Sequence, residues 1–358
     1  MSSVTRTVVL EQKPEILDVT PEGQRTNIIA RSGKLVEGLT ATEGLVKHGF
    51  DYTLNKEQLF TKPPQEDLFQ VPYYCVVRRI PGKTPVRIGS PVTERYVVSQ
   101  NSDIATLADA IAKQEGWKID AMGDVNSGTQ FFVSLDAGES EVNGEPYHRY
   151  FILAERRGGR GSSLTVGFTP MRLQCSNAIN VGVGKATVRL LIPHLRRFHA
   201  TIQFLSKASG QLREAQEEVE QNLTLLSRKK LTVRELERML NKTYPQSQEG
   251  KGPLKVFEGA EVGDDAFVAR AKQNITYHQE IVTAERETTK KLYQVFGEQN
   301  PRLANTAYAF LMAVTELADH AVSRHGGKER SAISSLMGSR SLQKSRAYQS
   351  GIDLLAAA

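Results

Sequence analysis

Gly182-Val183-Gly184-Lys185 is the stretch closest to a phosphate-binding pattern, since backbone amides of a glycine loop and a following lysine can cradle phosphoryl oxygens. The full pattern needs a glycine where Ile179 stands and a serine or threonine where Ala186 stands. ATP hydrolysis here is therefore not expected, and a glycine-rich turn leading into a strand is. Cys175 and Asn177 have histidines nearby in sequence, but thiolate catalysis requires a base within hydrogen-bond reach, and no spacing fixes one. Cys175, after Met171 and Leu173, reads instead as a small buried apolar side chain. His194 and His199 are five apart, as are His320 and His325, whereas two ligands on one helical face stand three or four apart. Asp264-Asp265 suits a helix start, and Glu217, Glu218 and Glu220 a solvated helix face. No catalytic residue, metal or cofactor is expected from these patterns.

Positive charge is the stronger signal. Between Pro146 and Ala200 stand nine basic residues, Arg149, Arg156, Arg157, Arg160, Arg172, Lys185, Arg189, Arg196 and Arg197, against the single acid Glu155. That leaves +8 in this segment against +6 for the whole chain, so the remainder is slightly acidic and the charge is local. Arginine and lysine attract a phosphate backbone, and an exposed ring can stack on an unpaired base; Tyr147, Tyr150, Phe151, Phe168 and Phe198 lie close by. The nine basic residues are the expected nucleic-acid-binding set, with single-stranded DNA as the expected partner. Alternating aromatics in a strand are more often core than stacking surface, so the arginines carry the expectation.

These residues need elements to hold them. Tyr150, Ile152 and Ala154 alternate into Arg156-Arg157-Gly158-Gly159-Arg160-Gly161, and Leu164, Val166 and Phe168 alternate out, which is the pattern of a β-hairpin. Further strands are expected over Tyr73–Ile80, Pro85–Ser90, Tyr96–Ser99, Trp117–Asp120, Thr129–Leu135 and Val188–Ile192. Asn101-Ser102-Asp103 suits a helix N-cap, with Ile104, Leu107, Ala108, Ile111 and Ala112 at helical spacing up to Gly116. Past His199 the pattern is helical: His199–Ser227, a capping-box pair Thr232 and Glu235, a helix from Asp264-Asp265 to about Phe296, then Asn305–His325 and Ser331–Leu355. The expected class is α+β, with a twisted antiparallel β-sheet core and a helical C-terminal half. It divides into an N-terminal arm (1–70), a β-rich core with the basic hairpin (71–195) and a helical region (196–358). At 358 residues, 39% hydrophobic and 24% charged, the composition is that of a globular protein. Neither an apolar leader nor a run of about 18 apolar residues is found, so a membrane is not an expected partner and a cytoplasmic location is.

Two motifs resemble a known family. Phe168-Thr169-Pro170-Met171-Arg172-Leu173-Gln174-Cys175-Ser176-Asn177 is similar to the F-T-P-x-R-V-x-C-x-N signature of the phage/plasmid-like protein family, whose function is unknown. Asn305 to His320 is similar to its G-T-x-W-x-A-x-N-A-V-T-E-Y-x-D-H helix, with Tyr308 in place of Trp and Met312 in place of Asn, and Gly338 to Ala347 to its ending. The resemblance spans about residues 40 to 355. It implies origin on a mobile element, action in the cytoplasm of a bacterial host and a role in phage or plasmid DNA metabolism. The order of elements is also similar to that of phage single-strand annealing proteins of the Redβ/RecT kind, which implies ATP-independent annealing and assembly into homo-oligomeric rings or filaments. The expected function is thus single-stranded DNA binding, extending to strand annealing in recombination. The alternatives are an interaction protein that inhibits a host factor, and a hydrolase or nuclease whose site escapes spacing rules.

Overall fold

A computed structural model of the chain describes residues 33–61, 68–159, 162–172, 177–178, 189–194, 198–200, 209–245, 265–320 and 339–357. All strand ladders are antiparallel and the helices gather in the C-terminal half, so the class is α+β as expected. The strands divide into two sheets rather than one. The larger runs in the order β1 (Lys34–Leu35), β5 (Lys118–Val125), β6 (Gln130–Val142), β7 (Glu145–Arg156), β8 (Ser163–Arg172), β10 (Arg189–Pro193), with β9 (Asn177–Ala178) also on β8. The smaller holds β2 (Thr53–Thr61), β3 (Phe69–Arg79) and β4 (Val86–Val92).

β7 and β8 form the expected hairpin, in register from Tyr147 opposite Arg172 to Arg156 opposite Ser163. Period-two patterning sends Phe151, Leu153, Leu164, Val166 and Phe168 to one face, where they pack with Phe131, Val133 and Leu135 of β6. Helix α2 (Asn101–Glu115) covers that face with Ile104, Leu107, Ala108 and Ile111, and α1 (Ala41–His48) adds Leu45. Asp109 of α2 accepts from the N–H of Ala41 at 2.6 Å and of Thr42 at 3.1 Å, so one helix supplies a cap to the other.

Two local expectations change. Asn101 is the first residue of α2 rather than its cap; Gln100 precedes the helix, and its N–H donates to Asp103 Oδ2 at 2.8 Å. Tyr96–Ser99, expected as a strand, is a connector outside both sheets. Its groups are used between the sheets instead, as described below.

In the helical half, α3 (Ser209–Arg228), α5 (Asp265–Gln299) and α7 (Ser339–Ala356), together with β9, pack around α6 (Ala307–His320), and α4 (Val233–Thr243) packs on α7. Phe310, Leu311, Val314, Leu317 and Ala318 are buried within the chain, and so are Ala309, Met312 and Ala313. α6 is therefore enclosed all round, which a helix with one apolar stripe is not. The capping box at Thr232 and Glu235 is present at the start of α4.

Candidate nucleic-acid interface

The basic residues separate by position. Arg156 closes β7 and is exposed. Arg149 lies seven residues back on the same strand, roughly 23 Å away at about 3.3 Å per residue. It is half-buried, with Nη1 3.7 Å from Glu220 Oε1 of α3. Arg172 ends β8 opposite Tyr147, and Arg189 opens β10 opposite Gly167, so the backbone places both on the hairpin's sheet. Arg160, Lys185, Arg196 and Arg197 lie outside the described residues, as do Cys175 and the glycine stretch at 182–184.

Arg157 departs from the expectation of a surface cation. It is completely buried, donating from Nη2 to Asn101 Oδ1 at 2.7 Å and from Nη1 to Gly128 O at 3.2 Å, with its guanidinium 5.9 Å from the centre of the Phe131 ring. Its own N–H donates to Thr129 O at 2.8 Å. The guanidinium is fully enclosed, with Nε 3.9 Å from Glu155 Oε1, so Arg157 positions the turn and is not available to a phosphate.

Glu155, the one acid of the basic segment, is equally buried. Ser99 Oγ donates to its Oε1 at 2.9 Å, and His194 Nε2 stands 2.5 Å from the same oxygen. His194 Nδ1 is 3.0 Å from Val97 O, which can only accept, and Val97 N–H donates to His194 O at 3.1 Å. The imidazole is stacked between Tyr96, with centroids 4.9 Å apart, and Phe198, at 4.6 Å. Burial, with Glu155 adding to it, pushes the Tyr96 hydroxyl up to about 12.

The seam between the sheets is completed at backbone level. A Cβ on Gly89 of β4 would stand 2.7 Å from Arg157 O and 2.8 Å from the Gly158 Cα. Only glycine allows strand and turn to approach so closely. Alongside, Arg78 is 3.6 Å from Asp124 and lies over the Tyr52 ring. Burial pushes the Asp124 carboxyl above its ordinary range, against the pull of Tyr52, Arg78 and Arg157.

Sequence reasoning missed this junction, yet its signal was present. Glu155 and Arg157 continue the odd-numbered series Phe151, Leu153, whose parity points into the core. Their partners could not be read, because Asn101 and Ser99 each lie 56 residues away.

A second buried pair lies in the helical half, where Lys344 Nζ donates to Asp319 Oδ1 at 2.8 Å with both side chains fully enclosed. Burial pulls the Lys344 amine below its ordinary range and Asp319 opposes that pull. The pair ties α7 to α6. Among the described residues, no group of three His, Cys, Asp or Glu side chains could hold a metal ion. No helix among them is long and apolar enough to cross a membrane.

Fold and seam define an α+β protein in which a basic hairpin is braced between two antiparallel sheets and continues into a helical half. The family comparison covers the same elements: residues 90–349, from β4 into α7, match the family described as Domain of unknown function (DUF932), and the chain belongs to it. No curated protein and no solved structure matches the chain.

Proposed function

We propose that the chain is a single-stranded DNA-binding protein that tracks the phosphate backbone with the basic hairpin and its flanking strands. The observation that carries this is the disposal of charge beside the turn: the acid there, Glu155, is turned inward onto His194, while Arg156 next to it is exposed. What the hairpin offers outward at that point is positive, on backbone braced by Arg157 and the glycine seam. A rigid cationic edge suits a ligand whose charge is regular and whose sequence is not read. Arg149, Arg172, Lys185, Arg189, Arg160, Arg196 and Arg197 extend the same surface in this proposal; Arg157 does not.

The finer reading is an ATP-independent strand-annealing protein of a phage or plasmid, acting as a homo-oligomer in the bacterial cytoplasm. It is supported by the two motifs that resemble the phage/plasmid-like family and by the order of elements.

The test is fluorescence anisotropy with a labelled single-stranded oligonucleotide across a salt series. Each phosphate neutralised on a single strand contributes about −0.7 to the slope of log affinity against log salt, so Arg156→Ala is expected to flatten the slope by about that amount. Its stability should stay within about 0.5 kcal/mol of wild type, as for an exposed side chain without a structural role. Arg157→Lys, by contrast, cannot reach both Asn101 and Gly128, and should cost about 1–3 kcal/mol of stability with no change of slope in the folded fraction. No measurable affinity of the wild type at about 0.1 M salt overturns the proposal.

A further inference from the structure

β2 is the outer strand of the smaller sheet, and among the described residues no strand pairs with its far edge. Gln100 shows which main-chain groups face that edge. Its side-chain amide accepts from Leu54 N–H at 2.9 Å and donates to Leu54 O at 2.8 Å, taking the place of a neighbouring strand at that residue. Inward- and outward-facing residues alternate in an antiparallel ladder, so Lys56, Gln58 and Phe60 also turn their N–H and C=O groups outward. The ladder between β3 and β4 ends at Tyr74 opposite Val92, and beyond it the hairpin tip exposes Phe60, Leu68, Phe69 and Tyr73 at 48 to 64%. Gln58 Nε2 donates to the carbonyls of Val71 and Tyr73, at 2.5 and 3.0 Å, which pins the bulged stretch of β3. An apolar, open-edged hairpin held in shape is a template for strand addition.

The side chains select the added strand. From Thr53 to Arg79, the cations Lys56, Lys62, Arg78 and Arg79 are nearly balanced by Glu57, Glu66 and Asp67, so a polyanion gains little there. Laid antiparallel on itself about Gln58, β2 sets Lys56 opposite Phe60 of the second copy and Glu57 opposite Leu59 of the second copy. No like charges face each other, whereas centring on Glu57 would oppose two carboxylates. Lys56 Nζ donates to Glu94 O at 2.6 Å and Tyr96 O at 3.1 Å and lies 5.1 Å from the centre of the Tyr74 ring, so the ammonium is held in place and the incoming phenyl group packs on the side-chain stem. We propose that β2 pairs with β2 of a second copy of this chain about Gln58, making one six-stranded sheet across a two-fold axis.

Sedimentation velocity of the full chain over a concentration series tests this. The wild type should dimerise reversibly, and Phe60→Glu should weaken dimerisation at least about tenfold, equal to about 1.4 kcal/mol, with an unchanged circular dichroism spectrum. Register is tested by mixing Asn55→Cys with Thr61→Cys chains. In the proposed pairing these positions form a non-hydrogen-bonded pair with Cα atoms about 4.5 Å apart, within disulfide reach, so oxidation should cross-link the mixture and neither variant alone. A wild type that stays monomeric overturns the proposal, as does a dimer that Phe60→Glu leaves intact or that yields no mixed cross-link. A monomer whose Phe60→Glu variant loses oligonucleotide affinity would assign the tip to nucleic acid and overturn it too.

Discussion

An alanine at Gly158 would place its Cβ 2.8 Å from the Gly89 Cα and 3.1 Å from Ile88 O, at a φ of 73°. Both atoms belong to backbone, which cannot swing aside, so the left-handed conformation and the overlap add. Gly158→Ala should cost about 2–4 kcal/mol, whereas Gly144→Ala should cost only the conformational part, about 1–2 kcal/mol. Gly144 has a similar φ of 86° but nothing within 4 Å of its added Cβ. Urea midpoints, compared at unchanged slope, separate the two. At this scale the sequence showed that glycines were needed for a turn, because two of them follow two arginines between alternating strands. It did not show that one of those arginines faces inward: a charged residue beside glycines suggests solvent, and only the strand's parity, carried one step past its end, contradicts that.

Helix α4 was legible almost residue by residue because its start depends on partners within one turn. The Glu235 carboxylate accepts from Thr232 N–H at 2.8 Å, Thr232 Oγ1 at 3.0 Å and Lys229 Nζ at 2.9 Å. The backbone hydrogen bond from Thr232, then Lys229 and the Thr232 hydroxyl, lower it from 4.5 to about 2. A carboxyl depressed on folding stabilises the folded state above its unfolded value, and that contribution is lost as pH falls through the folded one. The cap of α4 should therefore persist from neutral pH to about 4.5 and fade towards pH 2, as a carboxyl-detected NMR titration of Glu235 would record. Helix α2 was displaced by one residue because the side chains that could cap it are engaged elsewhere: Gln100 with Leu54, and Asn101 with Phe50 and Arg157. α6 was legible as a helix but not as the enclosed centre of its half, since enclosure depends on elements far from it along the chain. Leu317→Ala should accordingly cost about 2–5 kcal/mol by chemical denaturation, and Leu317→Lys should prevent folding.

For the whole molecule, the α+β class was readable from the change of periodicity near residue 199, where period two gives way to period three-four. The division into two sheets was not, because each strand run looks alike in sequence and nothing local says which partner it takes. The division falls where 96–100 leaves the ladders. The junction that rejoins the sheets draws on 96–101, on 155–157 and on His194 and Phe198, three pieces that are far apart along the chain. That makes the junction a matter of timing as well as of strength. Hairpins such as β7–β8 close short loops and can form early, while a contact between Ser99 and Glu155 must first offset the entropy of closing a loop of 56 residues. His194 follows directly on β10, which pairs with the hairpin, and so reaches Glu155 across a shorter loop than Ser99 does. Until the Ser99 and Asn101 contacts close, Glu155 and Arg157 lack the partners that satisfy them in the folded protein.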